Sequence, residues 1–167
     1  MEVTFRRLEP ADAAVYRALR LEGLRLASRA FQSTIEEESA LTLDGYTARL
    51  ATPDNATIGA FSQDKLVGIG TILRETRTTV RHRGEIVGMY VTPLARGIGV
   101  ADGIMERLIA HARTLGLRWV GLELAAENTP AGSLYERFAF REYGRKPRAQ
   151  LHEGAWLDTI LMVLLLD

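Results

Sequence analysis

The chain contains no cysteine. Disulfides, thiolate metal sites and a cysteine nucleophile are therefore excluded. An excess of either charge is also missing. The 21 basic residues balance 21 acidic ones, so no global basic field points to nucleic acid. Lysine occurs only at Lys65 and Lys146, and the arginines form no basic cluster. No apolar run is long enough to span a bilayer: the longest, "ILMVLLL" at Ile160–Leu166, reads as a buried strand or a dimer edge, and no membrane partner is expected. The opening "MEVTFRRLEP" lacks an apolar h-region, so a signal peptide is not expected and a cytoplasmic location is. Proline is scarce at five residues, and no Ser- or Gly-rich linker, repeat or low-complexity segment breaks the chain. With 47% apolar and 25% charged residues, residues 1–167 read as one domain with its own core.

Periodicity divides the chain further. "VTFRRL" (Val3–Leu8) reads as a short strand, and Pro10 suits a first helical turn. Val15, Leu19 and Leu26 then recur near helical spacing to about Ala27. Ser33–Ala51 starts with cap-type residues and acids, as helices do, with a break expected near Asp44-Gly45. Two strands flank Gln63-Asp64 as a hairpin, and "GEIVGMYV" (Gly84–Val91) is a third, ended by Thr92-Pro93. From Gly97 to Leu115, Val100, Ile104, Leu108 and Ala112 form one helical stripe, with Met105 and Ile109 beside it. Arg118–Ala125 is a strand, Thr129-Pro130 opens a helix carrying Leu134 and Phe138, and two strands close the chain. Three strands in succession before the first strand–helix–strand unit make an α+β layout with a mixed sheet.

The segment "VTPLARGIGVADG" poses the functional question. Closely spaced glycines sacrifice conformational entropy. Feeding a strand through such a turn into a helix start creates an anion site, because the first helical N–H groups lack partners and the dipole adds positive charge. Gly97 and Gly99 would let phosphate oxygens approach the backbone, and Ala101 keeps the next turn small. The alternative is a short strand–helix connection with glycines for turn geometry alone. A dinucleotide fingerprint fits poorly, since Asp102 stands where its third glycine belongs and the turn follows the fourth strand rather than the first. No Gly-Lys-Ser/Thr occurs, which excludes a Walker A loop.

Arg96-x-x-Gly99-x-Ala101, after the strand "EIVGMYV", resembles the acyl-CoA pyrophosphate loop of the GNAT (Gcn5-related) N-acetyltransferases. Downstream, "ENTPAGSLYERFAF" (Glu127–Phe140) is similar to the family's Asn-x-x-Ala-x-x-Leu-Tyr-x-x-x-Gly-Phe segment. The order of elements agrees over nearly the whole chain. One position departs: Ala139 stands where the family has glycine, which puts the local helix end in doubt.

The resemblance implies the GNAT fold, a splayed, mostly antiparallel mixed sheet flanked by helices, with acetyl-CoA as cosubstrate. It implies a cofactor site built from Met89, Tyr90, Val91, Arg96, Gly97, Ile98, Gly99, Val100, Ala101, Asn128, Leu134 and Tyr135. Backbone groups of Met89 and Val91 would bind the pantetheine arm, and a backbone N–H there would polarise the carbonyl. Tyr135 matches the thiol-protonating tyrosine; its reference pKa of about 10 lies within reach of a thiol near 8.5. Asn128 caps its helix, bonds cofactor, or does both. Glu85, in an "EIV" strand, matches the general base of the family's histone acetyltransferases, with Glu123 on the next strand as competitor. Acetyl transfer to an amine needs a neutral nucleophile, a polarised carbonyl and a protonated leaving thiol. Without cysteine, direct attack on a held thioester is favoured over an acyl-enzyme relay.

The expected function is thus N-acetyl transfer to a primary amine of a small molecule or peptide, by a monomer or homodimer. The alternative is a non-catalytic acyl-CoA-binding sensor. His82, His111 and His152 have no metal-ligand spacing. Ile35–Glu38 reads as a solvated helix start, with attraction of a cationic amine as the lesser option. Trp119 and Trp156 are assigned to the core.

Overall fold

A computed structural model describes all residues, Met1–Asp167. Its seven strands are β1 (Thr4–Arg7), β2 (Ala56–Ser62), β3 (Lys65–Arg74), β4 (Arg83–Val91), β5 (Trp119–Ala125), β6 (Arg141–His152) and β7 (Ala155–Leu165). The helices are α1 (Ala13–Leu26), α2 (Ile35–Ala40), α3 (Leu43–Ala51), α4 (Val100–Thr114) and α5 (Thr129–Arg137). The strands form one open sheet in the order β1-β2-β3-β4-β5-β7-β6, antiparallel except for the β4–β5 pair. That is the expected α+β layout. Helices α4 and α5 cover one face, where the predicted stripe of Val100, Ile104, Leu108 and Ala112 is buried with Met105 and Ile109. Helices α1–α3 cover the other, around Leu8, Tyr46, Ile69 and Tyr90.

Local chemistry explains most boundaries. Gln63 and Asp64 both take left-handed φ, 49° and 63°, as a two-residue hairpin turn requires. Thr34 accepts a hydrogen bond from Glu37 N, and the Glu37 carboxylate accepts from Thr34 N, a reciprocal cap that starts α2. The break inside Ser33–Ala51 falls at Leu41-Thr42, not at Asp44-Gly45. Leu41 is extended, and the Thr42 hydroxyl accepts from Gly45 N to start a new helix.

The buried face of α1 also differs from the expected one. Val15 and Leu26 are exposed, while Tyr16, Leu19, Arg20, Gly23 and Leu24 face the sheet. Gly23 permits this seat: a Cβ there would meet the Tyr90 ring at 3.1 Å. Trp119 is only part-buried and Trp156 is exposed, so neither is a core residue of the kind expected; Trp119 instead stacks under the Arg83 guanidinium at 4.5 Å.

Two departures from regularity shape the centre of the sheet. Strands β4 and β5 pair only from Arg83–Trp119 to Ile86–Leu122, then diverge. Just beyond that point β4 bulges: Thr71 pairs with Val87 and Ile69 with Tyr90, leaving Gly88 and Met89 opposite Gly70 alone. Gly88 has φ 65°, which only glycine adopts without strain. A strained position ends α5. Ala139 holds φ 65° in the place of the family's glycine, so the helix ends in the left-handed manner and the alanine bears the strain. Ala139→Gly is therefore expected to stabilise the protein by about 1 kcal/mol in urea unfolding. An unchanged or lowered midpoint would mean the strain is relieved elsewhere.

Candidate active site

The glycine turn lies between β4 and α4. Gly97 and Gly99 have φ 75° and 85°, and Gly99 is the N-cap of α4. The first backbone bond of the helix is from Gly103 N to Gly99 O, and the last before the turn is from Arg96 N to Pro93 O. Every N–H from Gly97 through Asp102 is thus without an acceptor in the chain. A Cβ at Gly97 or Gly99 would meet nothing within 4 Å, so space outside the turn is open to an anion. Turn geometry and anion access are satisfied together. Asp102, the one acid in this first turn, is paired with Arg137 of α5 at 2.9 Å, which removes its repulsion. The Arg96 Nε donates to the Val91 carbonyl at 3.0 Å and pins the turn to the end of β4.

The turn opens onto a cleft in the splay of β4 and β5, walled by Met89, Val91, Leu124, Asn128, Leu134 and Tyr135. Thr92 N bonds Val67 O, so by antiparallel alternation the peptide groups of Val91 turn away from β3 toward the cleft. Separated strands leave unpaired peptide groups, which a bound chain can satisfy. Of the residues named from sequence, Tyr90 and Val100 turn their side chains away from the turn. The Tyr90 ring lies on the α1 face with its hydroxyl on Glu22 at 2.9 Å, and the Val100 side chain is core. Ile98 is exposed at the turn, and Ala101 lines the cleft. Asn128 Oδ1 caps α5 by accepting from Ala131 N at 3.3 Å, while the residue also lines the cleft.

Tyr135 is buried against Phe140 and takes no hydrogen bond within the chain. Burial pushes its hydroxyl up to about 12. It therefore stays protonated at neutral pH, further from a free thiol than the reference values suggest. The same apolar cleft disfavours a thiolate as well, which narrows the gap again.

A second cavity lies on the α1–α3 face and shares Ala30, Ile86, Val87, Gly88 and Glu123 with the first. The bulge at Gly88 is where the two meet. Glu85 and Glu123 both border the second cavity but differ in surroundings. Glu123 accepts from Lys146 and, at 3.3 Å, from Gln32 Nε2. Glu85 has no such partner; burial, then the Glu123 carboxylate, raise it above the ordinary carboxylate range.

The same cavity holds a group that sequence reasoning missed. Arg20 of α1 and Arg49 of α3 converge on Glu38 of α2, at 3.0 and 2.9 Å. Tyr46 donates to the same carboxylate at 2.7 Å. Burial alone would push Glu38 up, but Arg49, Tyr46 and Arg20 outweigh it and hold it at about 2. Glu38 is thus no solvated helix-start acid, and being neutralised it does not attract a cation. The signal that was available was the spacing Tyr16, Arg20, Leu24, which puts an arginine on a helix face lined with core residues. Gly88, also missed, was flagged by being a glycine inside a strand pattern.

A family model described as acetyltransferase (GNAT) family matches residues 21–140. The L-methionine sulfoximine/L-methionine sulfone acetyltransferase of Pseudomonas paraeruginosa is 32% identical over 91 residues, 54% of this chain and 50% of that protein. The chain spans about half, or less, of the length of most curated relatives it matches. Among solved structures, a GNAT-family acetyltransferase from Streptococcus pneumoniae superposes with a TM-score of 0.90 at 28% identity, covering 99% of this chain and 100% of that one. A phosphinothricin acetyltransferase from Sinorhizobium meliloti, in complex with acetyl-CoA, gives 0.87 at 22% identity over 100% and 90% of the two chains, a likeness of fold. No helix is long and apolar enough to cross a membrane. With the matched model covering most of the chain, and the splayed sheet and a glycine turn of unpaired N–H groups in place, the chain belongs to the GNAT family of acetyltransferases, which use acetyl-CoA.

Proposed function

We propose that residues 1–167 act as one catalytic domain that transfers the acetyl group of acetyl-CoA directly to a primary amine of a small molecule. The observation that carries this reading is the junction of two cavities at the β4 bulge, with Tyr135 on one side and an unpaired, raised carboxylate, Glu85, on the other. The small-molecule side of the choice is favoured by the relative named for L-methionine sulfoximine and L-methionine sulfone.

Acetyl-CoA supplies an activated thioester when bound. The N–H groups of Gly97 to Asp102 hold its pyrophosphate, with Arg96 alongside. Peptide groups of Met89 and Val91 hold the arm in the splay, and an N–H at the bulge polarises the carbonyl. Leu134, Ala101 and Asn128 shape the cleft wall. Glu85 takes one proton from the ammonium of the acceptor and passes it to solvent. The nitrogen–carbon bond then forms and the carbon–sulfur bond breaks. Tyr135 gives its proton to the departing sulfur, and the second nitrogen proton, relayed by water, restores the hydroxyl. Amide, thiol and one net proton leave.

The test is an amine panel with thiol release as readout, alongside the thermal shift caused by acetyl-CoA. Acetyl-CoA binding without turnover on any amine would replace this reading with that of an acyl-CoA-binding module. Within a working assay, Tyr135→Phe should fold, keep its acetyl-CoA shift and lose about 100-fold in kcat, the low end for general acid catalysis because water can donate in its place. An unchanged kcat would reduce Tyr135 to packing against Phe140.

A further inference from the structure

We infer that the amine acceptor carries a carboxylate one or two carbons from its nitrogen, and that Arg20, with Arg49 behind it, is the group that receives it. The inference rests on the acetyl-transfer reading of the same cavity and names the substrate class.

The Arg20–Glu38–Arg49 cluster is unbalanced. Two guanidinium groups share one carboxylate, and Tyr46, which also bonds it, adds no charge. The Arg20 side chain is only 10% exposed, yet just one of its nitrogens, Nη2, has an acceptor. Its Nε–H is buried with no partner. Its Nη1 also has no partner, but it is not sealed off, and the residue lines the second cavity. A buried cation with unused donors is unfavourable unless an anion completes it. The Phe31 ring, 5.1 Å from the Arg20 guanidinium, backs it from one side and restricts where that anion can sit.

Position then fixes the distance. A Cβ placed on Gly88 would lie 3.3 Å from Arg20 Nη1, so this nitrogen sits beside the bulge where the two cavities join. Glu85 and Glu123 border the same cavity from the β4–β5 side. The cavity is therefore lined by cationic and acidic side chains together. A molecule whose ammonium faces Glu85 while its carboxylate meets Arg20 satisfies both. Because Arg20 adjoins the bulge rather than the far rim, the two groups must be close, as in an α- or β-amino acid. A bidentate guanidinium–carboxylate contact would use donors the fold leaves free. Thr57, Thr71 and Asn55 also line the cavity, the two threonine hydroxyls bonded to each other at 2.7 Å.

The test uses wild-type protein, acetyl-CoA and matched sets of amines: the proteinogenic L-amino acids and β-alanine, each beside its methyl ester and its decarboxylated amine. The best amino acid should exceed its ester and its amine by about 10- to 100-fold in kcat/KM, the worth of a charge-assisted contact. Arg20→Gln should lower kcat/KM for that amino acid and shrink the ratio toward one. Arg20→Lys, which keeps the charge but not the fork, should recover it only in part. Should Arg20→Gln fail to fold, Arg49→Gln, whose side chain is 41% exposed, serves for the same ratio. Equal use of amino acids and decarboxylated amines, or use of carboxylate-free amines alone, would overturn this inference and leave acetyl transfer standing. Thiol release with no amine at all would sink both.

Discussion

Glu85→Gln is expected to fold, to bind acetyl-CoA and to lose about 100- to 10,000-fold in kcat near neutral pH. Gln keeps the shape of the side chain and removes the base. The wild-type carboxyl is raised above the ordinary range by burial and then by Glu123. A base works only when ionised, so the acid limb of the wild-type kcat/KM profile should sit above the usual carboxylate range and vanish in Glu85→Gln. Part of the lost rate should return at high pH, where the acceptor is already a free amine. Glu123→Gln is the control. Glu123 is engaged by Lys146 and Gln32, so its loss should leave the acid limb in place and move it toward lower pH, because a like charge beside Glu85 has gone. If Glu123→Gln abolishes the limb while Glu85→Gln stays active, the roles are reversed. If neither matters, water carries the proton to solvent.

Gly99→Val should abolish the thermal shift caused by acetyl-CoA, with affinity weakened about 100-fold or more as several charge-assisted bonds to pyrophosphate are lost together. Two effects are mixed in this variant. A β-branched residue at φ 85° is strained, which costs about 1–2 kcal/mol, and its methyl groups fill the space an anion would enter. Gly116→Val separates them. Gly116 has φ 69° just beyond the other end of α4, with nothing within 4 Å of a Cβ, so it carries similar strain away from the turn. Gly116→Val should lose stability comparably yet keep the acetyl-CoA shift. A full shift in Gly99→Val would remove the pyrophosphate from this turn.

Much of this molecule was legible one residue at a time. The absence of cysteine, the stripe from Val100 to Ala112, the Gln63-Asp64 hairpin and the Gly97–Gly99 turn are local facts, because helix periodicity, left-handed φ and orphan N–H groups follow from neighbouring residues. Even the strain at Ala139 was foreshadowed by a missing glycine. What failed was α1, where Val15 and Leu26 suggested one face and the protein buries another. An arginine reads as solvent-facing until its surroundings are known, and those of Arg20 are Glu38 on α2 and the backbone of Gly88 at the β4 bulge.

The resemblance put Glu85 ahead of Glu123, but the residues themselves could not rank the two glutamates, for the same reason. Each is a strand acid with apolar neighbours. Only the tertiary structure brings Lys146 and Gln32 onto Glu123 and leaves Glu85 without a partner. The sequence by itself therefore determined the sheet-and-helix layout and the Gly97–Gly99 turn with its free N–H groups, since both arise from short-range backbone chemistry. The tertiary structure alone decided which carboxylate is free and that Arg20 lines the same cavity. Those depend on burial and on partners from distant segments, and no local pattern encodes them.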